Sequence, residues 1–440
     1  MSSSRVAGKD IIFADKKDVI VFLVGCFSMV YIDFIGRIYL GELIIYFLYI
    51  IYPQTRKNIS RPVKKMIRLM VLWLITALVT DYYRDIPLID AIKGGTSVVF
   101  LILLVPFAYW ALNDKLSRWF VFYLGSVVSS QLSHYLIFSK TEFGSTQVWQ
   151  VYANISLLIG VAVYLYWKGR HTLSYLFLVA TGFYGLFGSS RNTFVICVIS
   201  VVLLYNFDKV LKKAAVKEST NNIQLGIKIY QNRLFRQLIA MFIGVMIISF
   251  TYDFFASNGI LGDEALQKYE RQKDTDAGMA SGRIGTFMDI DLISKSPIIG
   301  YGSYAKDYHG YVEKYYIEHN ISYHPSRFDI DVDSVENMLP RHSRMFGLWM
   351  WHGIGAGFFW IFIFLLFFRS LKNGCFLLEP KLLCLSIYTL MVEFWNNLFS
   401  PMADRISPVF FWVFLILINE QFKQLYANQN RKSVPVHSHS

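Results

Sequence analysis

Five cationic or titratable groups stand where a chain of this kind has little reason to keep them. Arg191 lies in "GLFGSSRNTF" and Arg283 in "SGRIGTF", while Arg341, His342 and Arg344 lie together in "LPRHSRMFGLWMWHGIGAGFF". Arginine presents a planar fork of N–H donors that meets phosphate oxygens at two points, which a lysine ammonium does not. Ser189 or Ser190 before Arg191, and Ser281 before Arg283, can each cap a helix whose first amides add to the local positive field. Taken singly, each arginine also reads as an ordinary surface residue, and Arg191 as a contact to a lipid headgroup phosphate.

The elements that must position these groups are membrane spans. The 440 residues are 54% hydrophobic and 17% aromatic, and only 17% are charged, against about 25% in a soluble domain. Apolar runs near the ~20 residues that cross a bilayer recur along the whole chain. They parse into twelve spans, at 18–36, 39–54, 66–82, 95–112, 118–138, 150–167, 172–188, 192–207, 238–256, 345–369, 381–399 and 407–422. Lipid offers no hydrogen-bond partners, so each span is expected to be α-helical. The fold class that follows is an all-α polytopic membrane protein. It divides into residues 1–256 (nine spans), a long polar loop at 257–344, and residues 345–440 (three spans and a tail).

The net charge of +12 sits mostly in short loops between apolar runs, which argues against a nucleic-acid partner. Cys26, Cys197, Cys375 and Cys384 show no paired spacing, so neither a disulfide framework nor a zinc site is indicated. The polar, basic N-terminal stretch reads as an uncleaved cytoplasmic end.

Basic residues set the orientation. The loop 55–68 carries six (Arg56, Lys57, Arg61, Lys64, Lys65 and Arg68) and the loop 208–237 carries seven, whereas the alternate short loops carry at most two apiece. Both termini are therefore expected in the cytoplasm, with 257–344 on the outer side. That loop holds ten Lys/Arg and fourteen Asp/Glu, and a connection of such length is usually functional or a small structured unit. Two runs within it suit short helices: "EALQKYERQKD", and "GRIGTFMDIDLISK", which places Ile284, Phe287, Ile290 and Ile293 close to one face.

Ionisable residues inside spans would mark a transport path. Asp33, His134, Asp253, His352 and Glu393 are few, scattered and without evident pairing, and a span histidine such as His134 or His352 reads first as a hydrogen-bonded packing residue. No phosphate-binding glycine loop is present, which disfavours an ATP-driven pump. "DIDVDS" is similar to a calcium loop, yet Ser334 stands where that loop needs glycine and Pro340 where it needs glutamate, leaving a solvated acidic loop.

"SGRIGTFMDIDLISKSPIIGYGSY" resembles the outer-loop signature of the O-antigen polymerase and ligase superfamily. In that family an arginine and an amphipathic helix precede a turn matched here by Pro297-Ile298-Ile299-Gly300-Tyr301-Gly302. The family's His-Asn pair corresponds to His342-Ser343, its glycine step to Gly353-Ile354-Gly355-Ala356-Gly357, and its Ser-Arg step to "GSSRNTF". The resemblance spans residues 180–360. It implies a metal-independent, cofactor-free glycosyltransferase of the membrane-embedded GT-C type, acting at the periplasmic face of a bacterial inner membrane on an undecaprenyl-diphosphate-linked glycan. It further implies that Arg191 and Arg283, with Arg341 and Arg344, hold the diphosphate, and that His342 is the general base. Arg341 and Arg344 beside His342 favour the neutral imidazole that a base requires. Ser343 departs from the family's asparagine, which leaves that residue's role open.

Three functions follow in order of preference. The first is a polymerase that joins lipid-linked repeat units, alone or with a chain-length regulator protein as partner. The second is a ligase that moves the finished glycan to lipid A core. The third is a non-enzymatic flippase or transporter of lipid-linked sugars, for which the polar lining within the spans is sparse.

Overall fold

Helices are what the apolar runs form. The computed structural model describes residues 15–33, 37–136, 146–187, 191–216, 254–260, 266, 269–270, 284–307, 310–319, 338–339, 341, 343–400 and 405–432. Their elements are α1 (Lys16–Cys26), β1 (Tyr31–Asp33), β2 (Arg37–Tyr39), α2 (Leu40–Ile51), α3 (Arg61–Tyr83), α4 (Leu88–Leu112), α5 (Arg118–Leu136), α6 (Thr146–Trp167), α7 (His171–Phe187) and α8 (Arg191–Val216). After the loop come α9 (Ile284–Lys295), α10 (Tyr311–Glu318), α11 (Arg344–His352), α12 (Ile354–Asn373), α13 (Leu383–Phe399) and α14 (Ile406–Lys432). Among the described residues six stretches are long and apolar enough to cross a membrane, on α4, α6, α8, α12, α13 and α14. The chain is a multi-pass, all-α membrane protein.

Two expected spans look different in the structure, and a third lies largely outside the described residues. The first, 18–36, is helical only to Cys26, about 16 Å of rise. The chain then turns into an antiparallel β1–β2 hairpin, with Tyr31 opposite Tyr39 and Asp33 opposite Arg37. Its flanks find partners without a helix: Met29 N donates to Ser129 Oγ at 2.8 Å and Gly41 N to the Phe27 carbonyl at 2.9 Å. The ninth span, 238–256, lies outside the described residues except at its last three positions, 254–256. The tenth, 345–369, is two helices that part at Gly353.

Close crossings hold the bundle. A methyl on Gly25 of α1 would stand 3.0 Å from the Gly125 Cα of α5, and one on Gly125 would stand 2.9 Å from Cys26 N. At the other end of α1, buried Arg118 ties α1 to the α4–α5 corner. It bonds Asp15 at 2.7 Å, Asp18 at 2.8 Å and Asp114 at 2.5 Å, and Lys115 reaches Asp18 at 2.7 Å. Three carboxylates against three cations (Arg118, Lys115 and Lys17 on Asp114) leave the cluster neutral, which is what makes burying Arg118 tolerable. The main core centres on α14, where Trp412 meets Phe359 and Trp360 of α12 edge-on and Trp73 of α3 stacks on Phe359.

A second, smaller core joins α9, α10 and α11 through Ile284, Met288, Leu292, Ala305, Tyr315, Leu339, Met350 and Trp351. This corrects the face expected of α9. The buried stripe is Ile284, Met288 and Leu292, spaced by four, while Phe287 and Ile290 point outward. The helix is apolar on two sides, so its periodicity alone did not identify the side that packs. "EALQKYERQKD", apart from three isolated positions, and "DIDVDS" lie outside the described residues.

Candidate functional site

The glycine-rich turn and the broken helix are sewn together, although some fifty residues separate them. The Ile298 carbonyl accepts the Ile354 N–H at 2.9 Å, Tyr301 N donates to the Met350 carbonyl at 2.9 Å, and Gly302 N donates to the Trp351 carbonyl at 2.8 Å. Trp349 Nε1 adds a bond to the Pro297 carbonyl at 2.9 Å. The approach is backbone on backbone. Gly300 has φ +39, and a Cβ there would lie 2.6–2.7 Å from the Trp351 carbonyl, the Gly353 amide and the Met350 carbonyl. Only glycine fits. From the α3 end, Arg84 Nε donates to the Gly300 carbonyl and Arg84 Nη2 to Ser296 Oγ, each at 2.9 Å.

Beneath the turn runs a buried polar chain with a defined proton direction. Trp73 Nε1 lies 2.9 Å from His352 Nδ1, His352 Nε2 lies 3.1 Å from Ser303 Oγ, and Ser303 Oγ donates to Asp81 Oδ2 at 2.8 Å. Ser303 N donates to the other Asp81 oxygen at 2.6 Å. An indole N–H only donates, so His352 Nδ1 accepts and the imidazole carries its proton on Nε2. The single Ser303 hydroxyl proton is committed to Asp81, so Ser303 Oγ accepts from His352. Every proton is accounted for, and the chain is closed at Trp73, which has nothing to accept with. Gly94 of α4 makes the room, since a Cβ there would run into Ser303 Oγ. His352 is thus a satisfied packing histidine, and the chain clamps the turn to α3 and α11. Trp73→Phe should leave Nδ1 buried and unpaired and lower stability by about 1–3 kcal/mol, read as a shift in thermal unfolding. An unchanged midpoint would remove the clamp.

At the start of α11, Ser343 is the N-cap. Its Oγ accepts the Phe346 N–H at 2.8 Å and donates to the Asn397 carbonyl of α13 at 2.9 Å. Where the family pattern has asparagine, this chain therefore has a capping residue that fixes the end of the loop. Arg344 is buried, and its Nη1 meets Glu393 Oε2 at 2.7 Å, leaving its Nε without a hydrogen bond. Arg341 lies with its guanidinium carbon 4.7 Å from the centre of the Trp351 ring. Burial lowers its pKa from the ordinary arginine value, with Tyr304 and Asp289 opposing and Arg344 and Arg405 adding to the fall; a guanidinium keeps its proton regardless. The Asn397 side chain is buried with neither of its polar atoms hydrogen-bonded.

The structure thus brings Arg341, Ser343 and Arg344 to one place, at the junction of α11 and α13 and beside the second core. Arg191 is the first residue of α8, at the helix start expected for it. His342, Arg283 and the side chain of Arg191 lie outside the described residues. Glu393 entered the sequence reading as an unpaired span carboxylate, and its partnership with Arg344 had no local signal because 49 residues separate the two. Asp81 was missed altogether, though an aspartate closing an apolar run in "ITALVTDYYR" is the kind of residue that needs a partner. Among the described residues, no cluster of three or more His, Cys, Asp or Glu side chains is arranged to hold a metal ion. Set beside known proteins, the chain matches no family model, no curated protein and no solved structure, so its site has to be read from this geometry and from the residues themselves.

Proposed function

We propose that the chain is a twelve-span GT-C-type polymerase. It joins undecaprenyl-diphosphate-linked oligosaccharide repeat units into a surface polysaccharide at the periplasmic face of a bacterial inner membrane, with both termini cytoplasmic. The observation that carries this reading is the docking of the Pro297–Gly302 turn onto the α11–α12 break. The two segments that carry the family resemblance form one unit, and the described residues on either side of position 342 are fixed, Arg341 against Trp351 and Ser343 as a helix cap.

The chemistry asks little beyond this. The donor's anomeric C–O bond breaks with diphosphate as the leaving group, so the electron pair departs onto phosphate oxygens. Arg191 and Arg283 offset that charge, and Arg341 and Arg344, whose Nε makes no hydrogen bond, add to the field. The acceptor hydroxyl gives its proton to His342 as its oxygen bonds to the anomeric carbon. Preorganised donors and a positioned base are the standard means of accelerating such a step, the base alone contributing about 10²–10⁴-fold.

The test is His342→Ala in cells, with membrane expression confirmed and the glycan resolved by length. Single repeat units on the acceptor are the expected product. Chains of unchanged length remove the catalytic assignment. Long chains stranded on undecaprenyl diphosphate identify a ligase instead.

A further inference from the structure

The segment from α9 to the glycine turn belongs to a stretch whose composition reads as a water-exposed loop, yet it presents large apolar side chains outward, with Ser294 and Lys295 exposed at the C-terminal end of α9. Phe287 is 50% exposed, Ile290 41% and Ile298 63%. These side chains are not spare core residues, because α9 already packs its Ile284, Met288 and Leu292 inward.

Two hydrogen-bonded contacts fix the level of this surface relative to the spans. The Ile298 carbonyl accepts the N–H of Ile354, the first residue of the spanning helix α12. At ~1.5 Å per residue the 20 residues of α12 cover ~30 Å, the thickness of the hydrocarbon layer, so Ile354 stands at its border. The second contact is Arg84, just past the end of α3 and four residues before the spanning helix α4, which bonds Gly300 and Ser296. The surroundings match a border as well. Tyr82 and Tyr83 are exposed beside Arg84, and the Arg84 guanidinium lies 5.7 Å from the Tyr83 ring and 5.3 Å from the Tyr301 ring. Tyrosine rings with a basic group are the usual furniture of the membrane–water interface.

We propose that α9 and the 296–303 turn form an interfacial element lying in the surface of the bilayer. Phe287, Ile290 and Ile298 face the lipid acyl chains, and Arg84 sits at the level of the lipid phosphates. Helices that lie in the interface present one apolar face to the acyl boundary in this way. The occupant is bilayer lipid, because the turn bearing Ile298 is hydrogen-bonded to the first residue of the spanning helix α12 and to Arg84 just before the spanning helix α4. The proposal rests on the membrane fold alone and is independent of glycosyl transfer, so the two stand or fall on separate experiments.

The test uses the full chain in vesicles of phosphatidylethanolamine and phosphatidylglycerol, with a nitroxide attached at Ile298→Cys, at Phe287→Cys, or at Lys314→Cys on the exposed side of α10 as an aqueous reference. The four native cysteines are buried, so labelling is confined to the new thiol. Collisions with oxygen, which partitions into lipid, are compared with collisions with a water-soluble nickel chelate. The expected result is a reversal of the oxygen-to-chelate ratio, with oxygen favoured at 287 and 298 and the chelate favoured at 314. Chelate access at 287 and 298 equal to that at 314 overturns the proposal, as it places the segment in water. An immobile label shielded from both reagents also overturns it, as it places a protein partner or a second copy on this face.

Discussion

Glu393→Ala is expected to lower the free energy of unfolding by about 3–5 kcal/mol, the usual cost of removing one partner from a buried ion pair. Both side chains are almost wholly buried, and Glu393 takes Arg344 Nη1 at 2.7 Å. With the carboxylate gone, a buried guanidinium that cannot give up its proton loses its charge partner. Surface ion pairs, by contrast, are worth about 0–1 kcal/mol, so the size of the loss itself reports burial. The conservative control is the double variant Arg344→Met with Glu393→Leu, which removes both charges and keeps the volume. It should recover most of the loss, since replacing a buried pair by apolar residues is commonly neutral or stabilising. Denaturant or thermal unfolding in detergent, followed as a double-mutant cycle, reads the coupling directly. A single-variant loss near that of a surface pair would show that the two groups do not meet in the folded protein. Because Arg344 follows the Ser343 cap directly, Glu393→Ala should also weaken that cap at the start of α11.

Sequence and structure part company in a consistent way. Local, one-dimensional signals were legible: the apolar runs on α4, α6, α8, α13 and α14, the helix at 284–295 and the helix start at Arg191 all stand near where the composition placed them. The failures come where a distant segment supplies what lipid cannot. Residues 27–33 and 37–39 leave the helix because Ser129 and the β1–β2 pairing satisfy backbone groups there. The α11–α12 break exists because the Ile298 carbonyl takes the Ile354 amide. Arg344 with Glu393, and Asp81 with Ser303 and His352, are pairings across 49 or more residues, invisible to any window. Glycines were noticed for their spacing, but the constraint on Gly300 and Gly353 is the carbonyl each one faces, which the spacing does not name.

That constraint makes Gly353→Ala the most informative backbone substitution. Gly353 has φ +74 and ψ −161, a conformation open in practice to glycine alone. A Cβ at this position would also run into the Ile298 carbonyl, and would lie 3.1 Å from that carbonyl carbon and 3.2 Å from the next. Neither obstacle can move aside, because Trp349 Nε1, Tyr301 N, Gly302 N and Arg84 Nε hold the turn from four sides. Backbone strain of about 1–3 kcal/mol and overpacking of about 1–3 kcal/mol therefore add, for an expected loss of roughly 2–6 kcal/mol. Gly310→Ala separates the two contributions. Gly310 also has positive φ, at +60, but nothing lies within 4 Å of its would-be Cβ, so only a strain cost of about 1–2 kcal/mol applies. Comparison of the two variants by unfolding in detergent, with hydrogen exchange at Ile354 N–H as a local probe, isolates the clamp. The exchange rate at Ile354 should rise in Gly353→Ala and stay unchanged in Gly310→Ala. Equal losses in the two variants would mean that the turn yields freely, and the docking that supports the proposed site would then not be a rigid feature of the fold.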